Sequence, residues 1–207
     1  MSNVETEYKW DGNSPRAFAR MKRAAAPFLK AAKSEKLRLH DVYLDDEKHT
    51  LRAEKIALRL RGCNGNWEAT LKTRTEVKNG KAVRKEFTFP VGKSKNFAQA
   101  LISFQTRKTW KNIPLKNLRA QFEIFNTRQI YMLNFEGAQA ELALDDCEIR
   151  VAGRRVKMKE IELELKKGAG EKLESLARHF SHAAQLRFQK MSKVFTAETL
   201  LALWGEK

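Results

Sequence analysis

The chain has 207 residues, of which 42% are apolar and 32% charged, and its formal net charge is +16. This composition is typical of a globular protein that is long enough to bury a core. No apolar run reaches the roughly 20 residues of a membrane-spanning helix, and the two cysteines, Cys63 and Cys147, are too few for a disulfide framework.

The positive excess indicates a polyanionic partner, which is a nucleic acid, an anionic membrane surface or a phosphate chain. The N-terminus leads directly into a charged strand, so we expect no secretory signal. Together with the low cysteine content, this predicts a protein of the cytoplasm.

The first predicted strand covers residues 4–10 and carries charge on one face. Successive strand side chains point to opposite sides, so Glu5, Glu7 and Lys9 share a face. Two carboxylates two residues apart lie roughly 7 Å apart along a strand, a spacing that suits oxygen ligands of a hard divalent cation. Lys9 is then placed to hold an anion beside the metal. The alternative is a half-solvated strand with a charged outer face.

The next predicted elements are a helix, two strands and a helical turn between those strands. Ser14 is predicted to cap a helix that continues to about residue 33, with Pro27 kinking or breaking it. Strands are predicted at residues 37–44 and 56–61, with a helical turn at 50–53 between them. On the second of these strands Arg59 and Arg61 share a face.

Asn64-Gly65 predicts a hairpin turn that leads into a strand at residues 67–74, where Lys72 lies on the polar face. After a turn at Asn79-Gly80, a strand at residues 83–91 places Arg84 and Glu86 on one side. Ser94 is predicted to cap a helix to about residue 104. Residues 107–116 are predicted to be irregular.

The C-terminal half is predicted to be mainly hairpins. One or two strands cover residues 121–134 and carry Arg128, and a strand at 139–147 carries Asp145. Residues 148–152 and 155–166 are predicted to pair across Gly153, a helix follows at 171–182, and Thr196 is predicted to cap a final helix over about 196–205. The last strand repeats the acidic alternation of the first, at Glu160, Glu162 and Glu164.

About eight strands joined mostly by hairpins predict an α+β protein that is mainly antiparallel, with helices outside and the whole chain, 1–207, in one domain. Such a sheet can close into a barrel. If it closes, the charged faces line a wet lumen that needs paired charges or bound ions. If it stays open, the same charges are ordinary surface groups.

The motifs, taken in order, resemble those of one known family. Glu5-x-Glu7-x-Lys9 resembles the signature of the CYTH family, the triphosphate tunnel metalloenzymes. The resemblance extends over about residues 3–195, and within the family the chain is most similar to bacterial inorganic triphosphatases. Further matching segments are Tyr43-Leu44-Asp45, Ala57-Leu58-Arg59-Leu60-Arg61-Gly62, Trp67-Glu68-Ala69-Thr70-Leu71-Lys72, Arg84-Lys85-Glu86, Leu144-Asp145-Asp146, Glu160-Ile161-Glu162-Leu163-Glu164-Leu165 and Ser192-Lys193.

This resemblance implies a closed eight-stranded β-barrel, a triphosphate tunnel with flanking helices, that holds Mg²⁺ or Mn²⁺. The implied metal ligands are Glu5, Glu7, Glu162 and Glu164, with Asp145 assisting. The implied phosphate-binding residues are Lys9, Arg59, Arg61, Lys72, Arg84, Arg128 and Lys193. The residues expected to be catalytic are Glu5, Glu7, Lys9, Glu162 and Glu164. Glu160 shares the face of Glu162 but is predicted to lie nearer the rim, outside the site.

The expected activity is hydrolysis of inorganic tripolyphosphate, with the small triphosphate as partner and no membrane partner. Two enzyme alternatives belong to the same family: a class IV adenylate cyclase and a thiamine or nucleoside triphosphatase. A non-enzyme alternative is a basic module that binds RNA or polyphosphate. We do not expect nucleic acid as the partner, because most aromatic residues fall on apolar faces and not among the exposed basic residues.

Overall fold

The computed structural model describes residues 2–30, 34–73, 75–78, 80–189 and 191–205. Its centre is a sheet in the order β1-β11-β10-β9-β2-β3-β4-β6, and β1 also pairs with β6, so eight antiparallel strands close into a barrel. The closed barrel expected from the sequence is confirmed. The barrel strands are β1 (Ser2–Asp11), β2 (Glu35–Asp45), β3 (Ala57–Cys63), β4 (Asn66–Lys72), β6 (Lys81–Lys93), β9 (Arg119–Phe135), β10 (Ala138–Val151) and β11 (Arg154–Lys167).

Shorter strands and the helices lie outside the closed ring of barrel strands. Strand β5 (Glu76–Lys78) pairs with β6 outside the closed ring, and β7 (Thr109–Trp110) and β8 (Ile113–Pro114) form a small separate hairpin within the segment predicted to be irregular. The helices are α1 (Ala17–Ala25), α2 (Thr50–Ala53), α3 (Phe97–Gln105), α4 (Gly170–Ala183) and α5 (Lys193–Trp204). None of the helices in the described part of the chain combines the length and the apolar character needed to cross a bilayer.

Tight two-residue turns join neighbouring barrel strands. Asn64-Gly65, Glu136-Gly137 and Ala152-Gly153 all have positive φ, the conformation that two-residue hairpin loops require. The hairpins predicted at Asn64-Gly65 and Gly153 are therefore confirmed. The predicted turn at Asn79-Gly80 falls partly outside the described residues, because Asn79 is not among them.

Helix starts were predicted less well than turns. Helix α1 begins at Ala17 without a side-chain cap, and it ends at Ala25, where a 3₁₀ turn containing Pro27 follows. The predicted continuation over residues 31–33 lies outside the described residues. Asn96, not Ser94, caps α3. Ser192, not Thr196, caps α5, because the Ser192 hydroxyl accepts the Phe195 N–H at 3.1 Å, and the helix therefore starts three residues earlier than expected.

Strand lengths also differ from the prediction. Residues 139–147 and 148–152, predicted as two segments, form the single strand β10, and residues 121–134 form the single strand β9. The alternation of buried residues continues through both, and their ladders with β11 and β2 run without a break at residue 147. Long continuous strands are what allow polar residues far apart in sequence to meet inside the barrel.

Three apolar clusters surround and close the barrel. Helices α1 and α4 pack on the outer faces of β1, β10 and β11 around Trp10, Met21 and Phe180. Helix α3 and the segment after it pack on β3 and β4. The third cluster includes Ile149 and Ala197. Ile149 is on the same face of β10 as Asp145, so this cluster fills one part of the interior beneath α5.

Candidate active site

A cavity of about 1020 Å³ runs inside the barrel, and most of the polar residues singled out in the sequence line it. This placement confirms the closed-lumen interpretation, and the alternative of an open sheet with surface charges is wrong. The predicted site residues that line the cavity are Glu5, Glu7, Lys9, Arg59, Arg61, Lys72, Arg84, Arg128, Glu162, Glu164 and Lys193. Asp145 lies beneath them and is completely buried.

The centre of the site is an acid cluster formed by Asp145, Glu160 and Glu162. One carboxylate oxygen from each lies within 4.8 Å of the others. Lys193, the first residue of α5, places its ammonium among them, with Nζ donating to Asp145 Oδ2 at 2.7 Å, Glu160 Oε2 at 2.6 Å and Glu162 Oε1 at 2.8 Å. Three buried carboxylates are thus held together by a lysine from the end of the chain.

The position predicted for Glu160 was wrong. Its side chain is 0% exposed and belongs to the acid cluster, not to a rim. Glu160 pairs directly with Asp145 across β10 and β11, and the start of α5 covers both, because the Lys193 backbone N–H also donates to Glu160 Oε1 at 3.1 Å. Alternation in the sequence predicts the correct face of β11 for Glu160. It does not predict that the start of α5 folds over the part of β11 that carries Glu160.

Two more cations border the acid cluster. Arg128 forms a bidentate pair with Asp145 at 2.7 and 2.6 Å and reaches Glu162 at 2.5 Å. Lys9 contacts Glu162 at 2.5 Å and Glu7 at 3.3 Å. The cluster is therefore continuous with the charged face of β1.

A second group of charges lies on β1, β4 and β6. Arg84 contacts Glu5, Glu7 at 2.6 Å and Glu86 at 3.0 Å. Lys72 pairs with Glu86 and lies 3.8 Å from Glu5. Glu164 stands apart from both groups; it is part-exposed and pairs with Lys166 at 2.9 Å.

A third group of charges lies on β2 and β3, and it includes Asp41, which the sequence analysis did not identify. Asp41 of β2 is completely buried and accepts from Arg61 Nε at 2.6 Å and from Arg61 Nη2 at 2.7 Å. Arg59 Nη1 lies 3.8 Å from Asp41. An acid on the same strand face as Leu39 and Tyr43 was the available signal, since alternation puts these three side chains on one side of β2.

Burial and charge act against each other on these carboxyl groups. Burial disfavours ionisation of Glu162, but the Lys193, Lys9 and Arg128 cations outweigh it and hold the Glu162 pKa well below its usual value. At Glu160 burial prevails and the pKa is raised. Burial also raises the pKa of Glu5 to about 8 and lowers the pKa of Lys72 to about 8, the latter with help from the nearby Arg84 cation.

The chemistry of the donors fits a hard divalent cation. Carboxylate oxygens are the ligands that Mg²⁺ and Mn²⁺ prefer, and Asp145, Glu160 and Glu162 offer three such oxygens close together. The ammonium of Lys193 at their centre indicates that this arrangement of oxygens accommodates positive charge.

Comparison with known proteins identifies the family to which this architecture belongs. The sequence matches the CYTH domain over residues 3–196. The chain belongs to the CYTH family. The family membership and the fold expected from the ordered motifs are therefore confirmed, whereas the roles of individual site residues remain predictions.

The chain is 25% identical over 159 residues to an inorganic triphosphatase of Haemophilus influenzae. The match covers 77% of this chain and 45% of that protein, so the chain spans less than half the length of this relative.

Solved structures share the CYTH fold at lower identity. A Hippeastrum adenylyl cyclase candidate, described as having a dominant triphosphatase activity, is 19% identical with a TM-score of 0.65, covering 94% of this chain and 95% of its own. The triphosphatase of the Mimivirus capping enzyme is 14% identical with a TM-score of 0.57, covering 88% and 90% of the two chains.

Proposed function

We propose that this CYTH protein hydrolyses inorganic tripolyphosphate to pyrophosphate and phosphate, using Mg²⁺ or Mn²⁺. The observation that carries the proposal is the cavity itself, in which a buried carboxylate cluster faces arginines and lysines inside a closed barrel. The relative named inorganic triphosphatase supports this choice of substrate. A short, linear and densely charged phosphate chain matches a wall in which cations recur on strand after strand.

Asp145, Glu160 and Glu162 would hold the metal. Glu7 keeps its predicted role as a ligand beside them, because Lys9 contacts both Glu7 and Glu162. Glu160 thereby joins the predicted ligands, and Glu5 and Glu164 keep their predicted role at the edges of the set. A bound divalent ion would neutralise phosphate charge and polarise the attacking water.

The cationic side chains would bind and orient the substrate. Arg59, Arg61 and Arg128 offer planar forks that suit phosphate oxygens, whereas Lys9, Lys72 and Lys193 act as point charges. Arg84 lies between Glu5 and Glu7 and would keep these carboxylates in place beside the substrate. The low effective dielectric of the lumen would strengthen each of these contacts.

A cyclase and a thiamine or nucleoside triphosphatase are the enzyme alternatives, because the same wall would hold the triphosphate tail of an organic substrate. The solved structures described as adenylate cyclases are too distant to favour one of them. An RNA- or polyphosphate-binding module is the non-enzyme alternative, and it predicts binding without a divalent ion and with a steep salt dependence. Cytoplasmic location remains a prediction, which the free thiols of Cys63 and Cys147 support.

The test is phosphate release from tripolyphosphate, ATP and thiamine triphosphate, each with Mg²⁺, with Mn²⁺ and with a chelator. We expect tripolyphosphate to give the highest kcat/KM and the chelator to abolish turnover. Product analysis with ATP separates the enzymes, since a cyclase forms cyclic AMP and pyrophosphate. Robust cyclic AMP formation with tripolyphosphate untouched would overturn the proposed activity.

A further inference from the structure

Asp41 is a buried, charged residue that has no role in the proposed reaction as described above. It lies on β2 directly opposite Arg61 in the β2–β3 ladder, and its side chain is 0% exposed. Both of its oxygens are taken by one guanidinium, at 2.6 and 2.7 Å. A bidentate pair of this kind fixes the plane of an arginine as well as its position.

The pairing leaves part of Arg61 available. An arginine has five N–H donors, and Asp41 engages only Nε and Nη2. Arg61 itself lines the cavity, with 16% of its side chain exposed. The edge that does not face Asp41 is therefore directed to the lumen, where a phosphate oxygen can accept from it.

Arg59 is held more loosely by the same carboxylate. Its Nη1 lies 3.8 Å from Asp41 Oδ2 and its Nη2 donates to Thr70 Oγ1 at 3.1 Å. Arg59 is 7% exposed, and within the described residues its buried Nε has no hydrogen-bond acceptor. A buried donor without an acceptor is unfavourable, so the position of Arg59 is less firmly fixed than that of Arg61.

Two like charges on one strand face need a counter-charge to stay together. Arg59 and Arg61 are two residues apart on β3 and both line the cavity, so their like charges repel each other. Asp41 supplies the compensating charge from the neighbouring strand. Burial opposes its ionisation, but Arg61 and Arg59 hold the Asp41 pKa below its usual value, and the carboxylate stays charged.

We propose that Asp41 is a positioning residue, which orients Arg61 and keeps Arg59 beside it so that both guanidinium groups face the phosphate chain. The proposal rests on the proposed function for its substrate. Asp41 touches no substrate in this scheme and acts only through the two arginines.

The first test is calorimetric binding of tripolyphosphate to the metal-free protein, in which no turnover is required. Asp41→Asn keeps the size of the side chain but removes its charge and one of its two acceptor oxygens. We expect affinity to fall by about tenfold, the equivalent of one charge-assisted hydrogen bond. Asp146→Asn is the matched control, because Asp146 is the exposed acid next to Asp145 on β10 and its loss should leave binding unchanged.

A double variant distinguishes positioning from mere stability. If Asp41 acts through the two arginines, then Asp41→Asn costs less affinity in the Arg61→Gln background than in the wild type, because only its effect on Arg59 remains. In the active, metal-loaded protein, Asp41→Asn should raise KM more than it lowers kcat. Unchanged affinity of Asp41→Asn, or fully additive losses in the double variant, would overturn the proposal.

Arg61→Lys keeps the proposal testable if Asp41→Asn does not fold. The lysine retains the charge but lacks the fork, so Asp41 should neutralise it and affinity should fall as far as in Arg61→Gln. Wild-type affinity in Arg61→Lys would overturn the role of a fixed fork. A wild-type protein that binds tripolyphosphate without hydrolysing it would refute the proposed activity alone, whereas a wild-type protein that does not bind it would refute both.

Discussion

Lys193 and Glu160 are joined by two hydrogen bonds, from the Lys193 backbone N–H to Glu160 Oε1 at 3.1 Å and from Lys193 Nζ to Glu160 Oε2 at 2.6 Å. The first bond ties the start of α5 to β11, and the second places a cation among the acids of the barrel. The acid cluster is therefore neutralised by an element that also covers one part of the interior.

The first prediction is that Lys193→Met destabilises the protein and makes its stability depend on divalent ions. Removing one partner of a buried charge network typically costs about 3–5 kcal/mol, because the carboxylates left behind lose their cation. Mg²⁺ bound at the acid cluster should restore part of this loss. Urea unfolding with and without Mg²⁺ measures both effects.

Lys157→Met is the control for this experiment. Lys157 is an exposed lysine of β11, so its replacement removes the same charge from the outside and should change the free energy of unfolding by less than about 0.5 kcal/mol. Equal stabilities of the Lys193→Met and Lys157→Met proteins would show that the buried ammonium is not needed to hold the acid cluster together.

The second prediction concerns the proposed metal ligands. Glu7→Gln and Glu162→Gln should each abolish turnover while the fold survives, because an amide keeps the shape of the side chain but removes the charge that attracts a divalent cation. Titration of each variant with Mn²⁺, followed by electron paramagnetic resonance, measures metal binding independently of activity.

Glu171→Gln is the matched control, since Glu171 lies exposed in the first turn of α4. It should bind Mn²⁺ and turn over like the wild type. A Glu162→Gln protein with near-wild-type rates at limiting Mg²⁺ would contradict the assignment of Glu162.

The third prediction is that Arg59→Ala raises KM and lowers kcat together, because a phosphate contact both binds the substrate and orients it. The structure places Arg59 in the cavity, as this prediction requires. A loss of about 10- to 100-fold in kcat/KM is expected for one charge-assisted contact of roughly 1.5–3 kcal/mol.

Arg155→Ala serves as its control. Arg155 is an exposed arginine at the β10–β11 hairpin, and removing it lowers the net positive charge equally. If both variants lost the same activity, long-range attraction of the anionic substrate would explain the effect and a direct contact by Arg59 would not.

Alternation along the strands was enough to find most of the site. In β1, β3 and β11 the period of two separates charged from apolar side chains, and hairpin turns at Asn64-Gly65 and Gly153 constrain how the strands pair. Once the barrel is closed, these two local signals place Glu7, Arg59 and Glu162 in one cavity.

The missing parts depend on contacts between segments far apart in sequence. Glu160 belongs to the site only because α5 returns over β11, and Asp41 belongs to it only because Arg61 lies opposite on β3. Neither partner can be read from the local sequence around these acids.

The sequence predicted an anionic partner from the positive charge of the chain, but it did not predict where in the fold that charge lies. Acids and bases occur in similar numbers around the cavity, so the cavity accounts for little of the net charge of +16. Composition alone cannot separate a basic cavity from a basic exterior.

The fourth prediction concerns Gly62 on β3, which lets the indole of Trp67 cross the strand. A Cβ at position 62 would lie 2.8 Å from Cζ2 and 2.9 Å from Cε2 of Trp67, and Trp67 is only 6% exposed. Gly62→Ala should therefore destabilise the protein by about 1–3 kcal/mol, the usual effect of overpacking. Thermal and urea unfolding measure it.

Gly170→Ala supplies a control of opposite sign. Gly170 is the first residue of α4, and a Cβ there meets only the flexible end of Lys81 at 3.4 Å, so alanine should stabilise by about 0.4–1 kcal/mol through the unfolded state. Replacing Trp67 by the smaller leucine in the Gly62→Ala background should relieve the clash, making the two substitutions less than additive. Strict additivity, or a Gly62→Ala protein as stable as the wild type, would show that the indole moves aside without loss and that glycine is not required at this position.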